Sequence, residues 1–376
     1  MKKFLVLLCL VSLFGTPIRA FYPAFMNIYQ DGIYPNAIMD VTHDDSNVYV
    51  AKLNGQLVVM NKATGEKDIL EVKVGNLSYT PWSIAVNSGK IWIGTAEGKL
   101  LTFSDGKFHQ SGISLSWQYD EPLGVENILF DAQGNMYLSC HFGVGFRVST
   151  INNVERFTIH PKGIGSFSVN MCLGQNNTLW VCNYGNHSRY GLTKYTREKG
   201  SIYYFKDRTD IPYGLVTGFT IDKEDGIWCL VKSKLIRLLN DEVSESYDFP
   251  DICYAMQFDE QQRLWMARQH GPMVMMKDGA FTDYPCPIES KRWMCMDIDG
   301  DDIYIGTDEF LLLFRDGEYT KIDLGQPDPQ GHQSTGINHT EVSTSTFGIF
   351  DLLGRQLQDK PERGVYIQDG RKYVVR

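Results

Sequence analysis

Long apolar runs are scarce in this chain. Residues 4–15, FLVLLCLVSLFG, form one, and it falls short of the roughly 20 residues that a helix needs to cross a bilayer. No transmembrane span is therefore expected. Helical periodicity is missing as well: no long stretch repeats apolar residues at intervals of three and four. Basic residues are outnumbered, 36 Lys and Arg against 45 Asp and Glu, giving a net charge of −9. An acidic surface repels phosphate backbones and argues against nucleic acid as a partner. Cysteine is sparse, 8 in 376 residues, with no CxxC and no Cys/His zinc spacing, so no metal site is expected. HExxH, G-x-S-x-G and Gly-rich phosphate loops are absent, and no cofactor is implied.

What is present begins with an export signal. Lys2 and Lys3 precede the apolar run, and Ile18-Arg19-Ala20 offers a cleavage end, so residues 1–20 read as a signal peptide. The mature chain, starting at Phe21, is expected outside the cytoplasm: in the periplasm, at the cell surface or free. Its net charge becomes −12 once Lys2, Lys3 and Arg19 leave with the signal. Seven cysteines remain: Cys140, Cys172, Cys182, Cys229, Cys253, Cys286 and Cys295. Most sit in strand-like apolar runs, where Cys acts as a small core residue. The odd number leaves at least one unpaired in a monomer.

One short pattern recurs seven times: NVYVAKL, KIWIGTA, NMYLSCH, TLWVCNY, GIWCLVK, RLWMARQ and DIYIGTD. The centres are Tyr49, Trp92, Tyr137, Trp180, Trp228, Trp265 and Tyr304, spaced 37 to 48 residues apart. Both neighbours of each centre are apolar. Two places on, the residue is small (Ala51, Gly94, Ser139, Cys182, Ala267, Gly306), with Leu230 the exception. A turn such as NSGK, DAQGN or KEDG precedes the motif, and a further turn and apolar run follow it. Each unit therefore reads as about four short strands joined by hairpins.

Four-stranded units at this period predict an all-β fold: a seven-bladed β-propeller with four antiparallel strands per blade, over residues 21–324. Within KIWIG the apolar residues are consecutive, so both faces of that strand are buried, as in a blade held between two neighbours. Residues 24–29, AFMNIY, could close the ring by adding a strand to the last blade.

DIPYGLVTGFTIDKEDGIWCLVKSKLIRL (210–238) and SIAVNSGKIWIGTAEGKLLTFSDG (83–106) resemble two-component regulator propeller repeats: an apolar strand, D-x-x-G, a Trp-centred strand like W-I-G-T, then another strand. The similarity covers roughly residues 36–324. In that family such propellers form sensory ectodomains, often for glycan-derived signals. This chain departs from the sensor pattern, having no transmembrane helix, kinase or DNA-binding domain, so the resemblance implies no signalling role.

Residues 325–343, GQPDPQGHQSTGINHTEVS, read as a linker. Residues 344–376 follow as a short β tail. Ile349-Phe350-Asp351 with Gly354-Arg355, then Gly364-Val365-Tyr366-Ile367 and the basic strand Lys372–Arg376, resemble the end of the C-terminal sorting domain of type IX secretion substrates. The early part of that domain is missing. The resemblance implies the type IX secretion machinery as a partner of the tail. The bland alternative is a small strand pair packed on the propeller.

Strand directions alternate within a blade. Connections entering the first strand and connections between the second and third strands therefore share one face, where propellers usually bind. The entry connections carry Tyr34, Tyr79, Trp82, Trp117, Tyr119, Tyr213 and Trp293. The others carry His141, Asn183, His187, Arg268, His270, Thr307 and Asp308. Flat rings with hydrogen-bonding neighbours suit sugars or peptides; the structural alternative is that these rings wedge blades together. His141, His187 and His270 could hold a metal or act as acid and base. Asp120, Glu121 and Asp308 share the face, so paired carboxylates for glycosidic cleavage remain open. DIDGDD (297–302) resembles a calcium loop only loosely and reads as a solvated turn. The expectation is a non-catalytic module binding a glycan or an extracellular protein. The alternatives are a polysaccharide lyase or glycoside hydrolase, and a purely structural envelope protein.

Overall fold

The computed structural model describes residues 36–115, 123–159, 167–174, 177–184, 191–205, 208–212, 214, 216–269, 273–290 and 292–325, and backbone strands between 349 and 375. The chain divides into two compact units, residues 1–327 and 328–376. Residues 1–20, expected to be a signal peptide, residues 24–29 and residues 326–343 lie outside the described residues.

The first unit is all-β: seven sheets of four antiparallel strands, each built from consecutive strands. Their first strands are Ile38–His43, Pro81–Asn87, Val125–Phe130, Phe167–Leu173, Val216–Ile221, Cys253–Phe258 and Trp293–Asp299. Each first strand packs against the first strands of the preceding and following blades, and that of blade 7 packs against that of blade 1. The ring is a seven-bladed propeller. Blades 1 and 7 are each complete from a contiguous stretch, so among the described residues no strand is shared to close it.

The recurring motif is the second strand of each blade. Its burial follows from its place between neighbours: in Ile227–Val231 every residue is buried. The small residue two places after the aromatic is explained by the next blade. A Cβ on Gly94 would come within 2.6 Å of Val125 Cγ1, and one on Gly306 within 2.6 Å of Ile38 Cγ2. The first strand of the adjoining blade passes there. Hairpins use the turn chemistry that the right-handed strand twist favours. Ser88-Gly89, Asp105-Gly106, Asp278-Gly279 and Asp316-Gly317 all have positive φ at both positions.

Every first strand also carries a β-bulge near its start: Ile38/Asp40, Pro81/Ser83, Val125/Asn127, Ser168/Asn170, Val216/Gly218, Cys253/Ala255 and Trp293/Cys295. A bulge re-aims side chains and sharpens twist, here at one level around the ring. The residue after it often ties blades together. Ser83 Oγ donates to Val125 O (3.0 Å), and Asn170 Nδ2 donates to Phe219 O (3.2 Å).

In the second unit four strands, Ile349–Asp351, Gln356–Leu357, Gly364–Gln368 and Arg371–Val375, form one antiparallel sheet. Cys140, Cys172, Cys182, Cys229, Cys253, Cys286 and Cys295 are all free thiols.

Candidate functional site

The two faces of the ring are built differently. On the face of the first-to-second-strand turns, the repeat makes a structural clamp. The turn aspartate receives the polar handle of the motif's aromatic ring: Tyr49 Oη donates to Asp44 (2.6 Å), Trp228 Nε1 to Asp222 (2.9 Å) and Trp265 Nε1 to Asp259 (2.7 Å). The same carboxylates cap the turn backbone, as Asp222 does for Glu224 N and Gly226 N. A cation from the third strand then lies over the ring, Arg237 on Trp228 at 5.9 Å and Lys194 on Trp180 at 5.0 Å. Arg237 also pairs with Asp222 at 2.7 Å. Against the cost of burial, these donors hold the Asp222 carboxyl below its ordinary value.

The opposite face carries the candidate site. His141 follows the second strand of blade 3, and Glu126 is the bulged residue of that blade's first strand. His141 Nδ1 lies 3.2 Å from Glu126 Oε1, with side chains 4% and 3% exposed. A carboxylate on one ring nitrogen fixes the orientation of an imidazole, and such a pair can hold or move a proton. Phe142, next in the chain, has φ 61°, a left-handed conformation that costs an aromatic residue roughly 1 kcal/mol or more. Its ring meets that of His141 edge-on at 4.6 Å, and Trp82 from blade 2 lies 6.2 Å from His141. Burial first, then the nearby Glu126 charge, pushes the Cys140 thiol well up and keeps it protonated.

The described aromatic candidates are buried. Trp82 is 6% exposed; a Cβ on Gly124 would sit 2.1 Å from its ring, so it lies flat in the seam between blades 2 and 3. Tyr79, 6% exposed, packs in the core of blades 1 and 2 and accepts a hydrogen bond from Gln110 Nε2 at 2.9 Å. Trp293 is buried and packs 5.9 Å from Tyr319. Asn183 is buried and donates to Thr193 Oγ1 (3.2 Å). Arg268 pairs with Asp251 (2.8 Å) and Asp283 (3.1 Å) and lies over Phe249. Thr307 and Asp308 are buried, and Asp308 accepts a hydrogen bond from Arg292 N (3.3 Å). Tyr34, Trp117, Tyr119, His187, Tyr213 and His270, with Asp120 and Glu121, lie outside the described residues. Of the named candidates, Trp82 and His141 are brought together. Glu126 was not among them: its only signal was a charge inside the apolar run GVENILF.

The tip of the DIDGDD turn, Gly300 and Asp301, is exposed as expected, but the carboxylates flanking it are paired. Asp297, Asp299 and Asp302 pair with His43, Lys62 and Arg315. Among the described residues no His, Cys, Asp and Glu group has the arrangement to hold a metal ion, and no helix is long and apolar enough to cross a membrane.

No protein-family model and no curated protein matches this chain. Solved structures do match, and they define its class as a propeller. Virginiamycin B lyase from Staphylococcus aureus aligns at TM-score 0.60 and 15% identity, over 73% of this chain and 92% of the lyase. PorZ, an essential surface component of the type IX secretion system of Porphyromonas gingivalis, aligns at TM-score 0.60 and 16% identity, over 80% of this chain and 48% of PorZ. The extracellular domain of a putative hybrid two-component system from B. thetaiotaomicron aligns at TM-score 0.56 and 12% identity, over 74% of this chain and 38% of that domain. The chain thus spans less than half of the last two. At these identities the likeness is one of fold.

Proposed function

We propose that the chain is an exported binding module whose loop face recognises a glycan or an extracellular protein. One observation carries this: in blades 1, 5 and 6 one face reuses the same turn clamp, while the polar groups described on the other face differ from blade to blade. The loop face holds individual buried polar groups, His141 with Glu126, Asn183 with Thr193, and Arg292 with Asp308. Divergent connections on a rigid scaffold are where recognition usually resides. Two fold neighbours, a bacterial surface component of a secretion system and the extracellular domain of a putative hybrid two-component system, fit this reading. In it, residues 1–20 direct export, residues 21–324 are the binding propeller and residues 344–376 address the type IX machinery through the linker 325–343.

With Tyr79, Trp82 and Trp293 buried, the remaining aromatic candidates, Trp117, Tyr119, Tyr213 and Tyr34, are the ones assigned to ligand contact. The test is a glycan-array screen and a protein pull-down with the full secreted chain, with Trp117→Ala and Tyr119→Ala alongside. Specific binding lost in variants with unchanged melting supports the reading. Binding that survives both substitutions would remove these aromatics from the site.

The Glu126–His141 pair favours a second reading, acid–base chemistry in a lyase or hydrolase. Oligosaccharide turnover abolished by His141→Gln in a folded protein would establish it. No turnover across substrates that the protein binds would refute it.

A further inference from the structure

The seam where the last blade meets the first is chemically unlike the others. Along the inner strands, blades 2 and 3 and blades 4 and 5 are tied by neutral hydrogen bonds from Ser83 and Asn170. Blades 7 and 1 are tied by ions. His43 Nδ1 lies 2.6 Å from Asp297 Oδ2, and its Nε2 lies 3.4 Å from Asp299 Oδ1. Lys62 Nζ lies 2.5 Å from Asp299 Oδ2. Every one of these contacts crosses from blade 1 to blade 7. Among the described residues, the other cross-blade ion pairs, Arg197 with Glu155, Lys194 with Asp241 and Arg263 with Asp301, involve no first strand.

The position matters because among the described residues no strand is shared across this boundary. Elsewhere the chain itself links one blade to the next. Here, among the described residues, side-chain packing and this cluster span the boundary, and a proton on His43 decides whether the central contact is an ion pair or a neutral hydrogen bond.

We propose that the His43–Asp297–Asp299–Lys62 cluster is a proton-operated latch, firm when His43 is protonated and slack when it is not. The groups facing His43 are Asp297 and Asp299 from blade 7 and Lys62 from its own blade. Asp44 follows it in the chain, and Asp40 lies on the same strand. The hydrogen bond to Asp297 raises the His43 pKa, burial and Lys62 opposing. Burial raises Asp297, with His43 opposing. Burial pushes Asp40 up to about 7, against hydrogen bonds from Ile84 N and Val41 N and with the Asp297 charge adding. All three hold protons more tightly folded than unfolded. Stability from the two carboxyls is therefore full below their ordinary value of about 4 and falls as pH rises above it, and that from His43 is full below the ordinary imidazole value of about 6.5 and falls above it. Asp44 runs the other way: held low by Tyr49, Ser46 and Asn47 against burial, it loses its contribution only in stronger acid.

The test is thermal unfolding of the full chain between about pH 5 and 9, with residue-resolved hydrogen exchange, for the natural protein and His43→Gln. The expected result is a melting temperature that falls as pH rises past about 6.5. Exchange in strands 38–43 and 293–299 should accelerate before that in strands 125–130 and 216–221. His43→Gln should flatten the slope above that pH. Parallel slopes for the two proteins, or exchange that accelerates uniformly around the ring, would overturn the latch. If His43→Gln does not fold, the order of exchange in the natural protein decides alone.

Discussion

The two faces of this propeller contrast in how they spend their polar residues. On the hairpin face, aspartates at 44, 222 and 259 each do the same work: they cap a turn and receive the ring donor of the next strand. On the loop face the described residues share less, only Thr95 and Thr307 accepting alike from the turn that follows them. His141 meets Glu126 in blade 3, Arg268 meets Asp251 and Asp283 in blade 6, and Asp308 caps Arg292 in blade 7. Repetition marks residues selected for folding, and divergence marks residues released from it. A substitution on the hairpin face should cost stability and spare binding; an exposed one on the loop face should do the reverse.

The strongest blow to the hairpin face is Asp222→Ala. It strands the Trp228 N–H and leaves Arg237, 12% exposed at its side chain, without its central partner. A loss of about 3 kcal/mol is expected, read as a lower denaturation midpoint with ligand affinity unchanged in the folded fraction. The comparison is sharpened from the other side by Gly124→Ala. The new Cβ would meet the Trp82 ring at 2.1 Å, so this loop-face residue should behave as core and cost about 2 kcal/mol. Trp228→Phe keeps the ring and removes the donor to Asp222. It should cost about 1.5 kcal/mol and reduce the extra acid sensitivity, because the depressed Asp222 carboxyl contributes only above its unfolded value and fades as pH falls below about 4. The smallest effect is expected for Glu97→Gln at the exposed rim, whose carboxylate accepts from Thr80 N at 3.1 Å. Stability should move by under about 0.5 kcal/mol, so any loss of binding there would report ligand contact directly.

The sequence revealed the ring well and the site poorly, for one physical reason. Blade number, strand count and the small residue after each aromatic are dictated by packing against identical neighbours, and packing against a repeat is itself periodic. Gly94 and Gly306 are small because a neighbouring first strand crosses them, a demand written into every copy. The environment of Trp82 is set by a bulge, which shifts register without leaving a mark in composition, and so a ring in an entry segment lies in a seam. Glu126 escaped notice for the same cause. The turn aspartates were visible as turn formers, but their bond to an aromatic six residues on in blades 5 and 6 needed coordinates. Asp297 and Asp299 read as solvated because their partners, His43 and Lys62, are more than 230 residues away along the chain.

Each blade is complete within one contiguous stretch. Topologically, the propeller is therefore a necklace of seven equivalent beads with its clasp between the last and the first. Nothing in the hydrogen-bond pattern fixes which bead must be made first. A gene rearranged to join blade 7 to blade 1 by a peptide linker, and opened between two other blades, should still encode the same ring. In that permutant the His43 seam would be bridged covalently, and the newly opened boundary would have to hold by packing and cross-blade hydrogen bonds such as that of Ser83 to Val125.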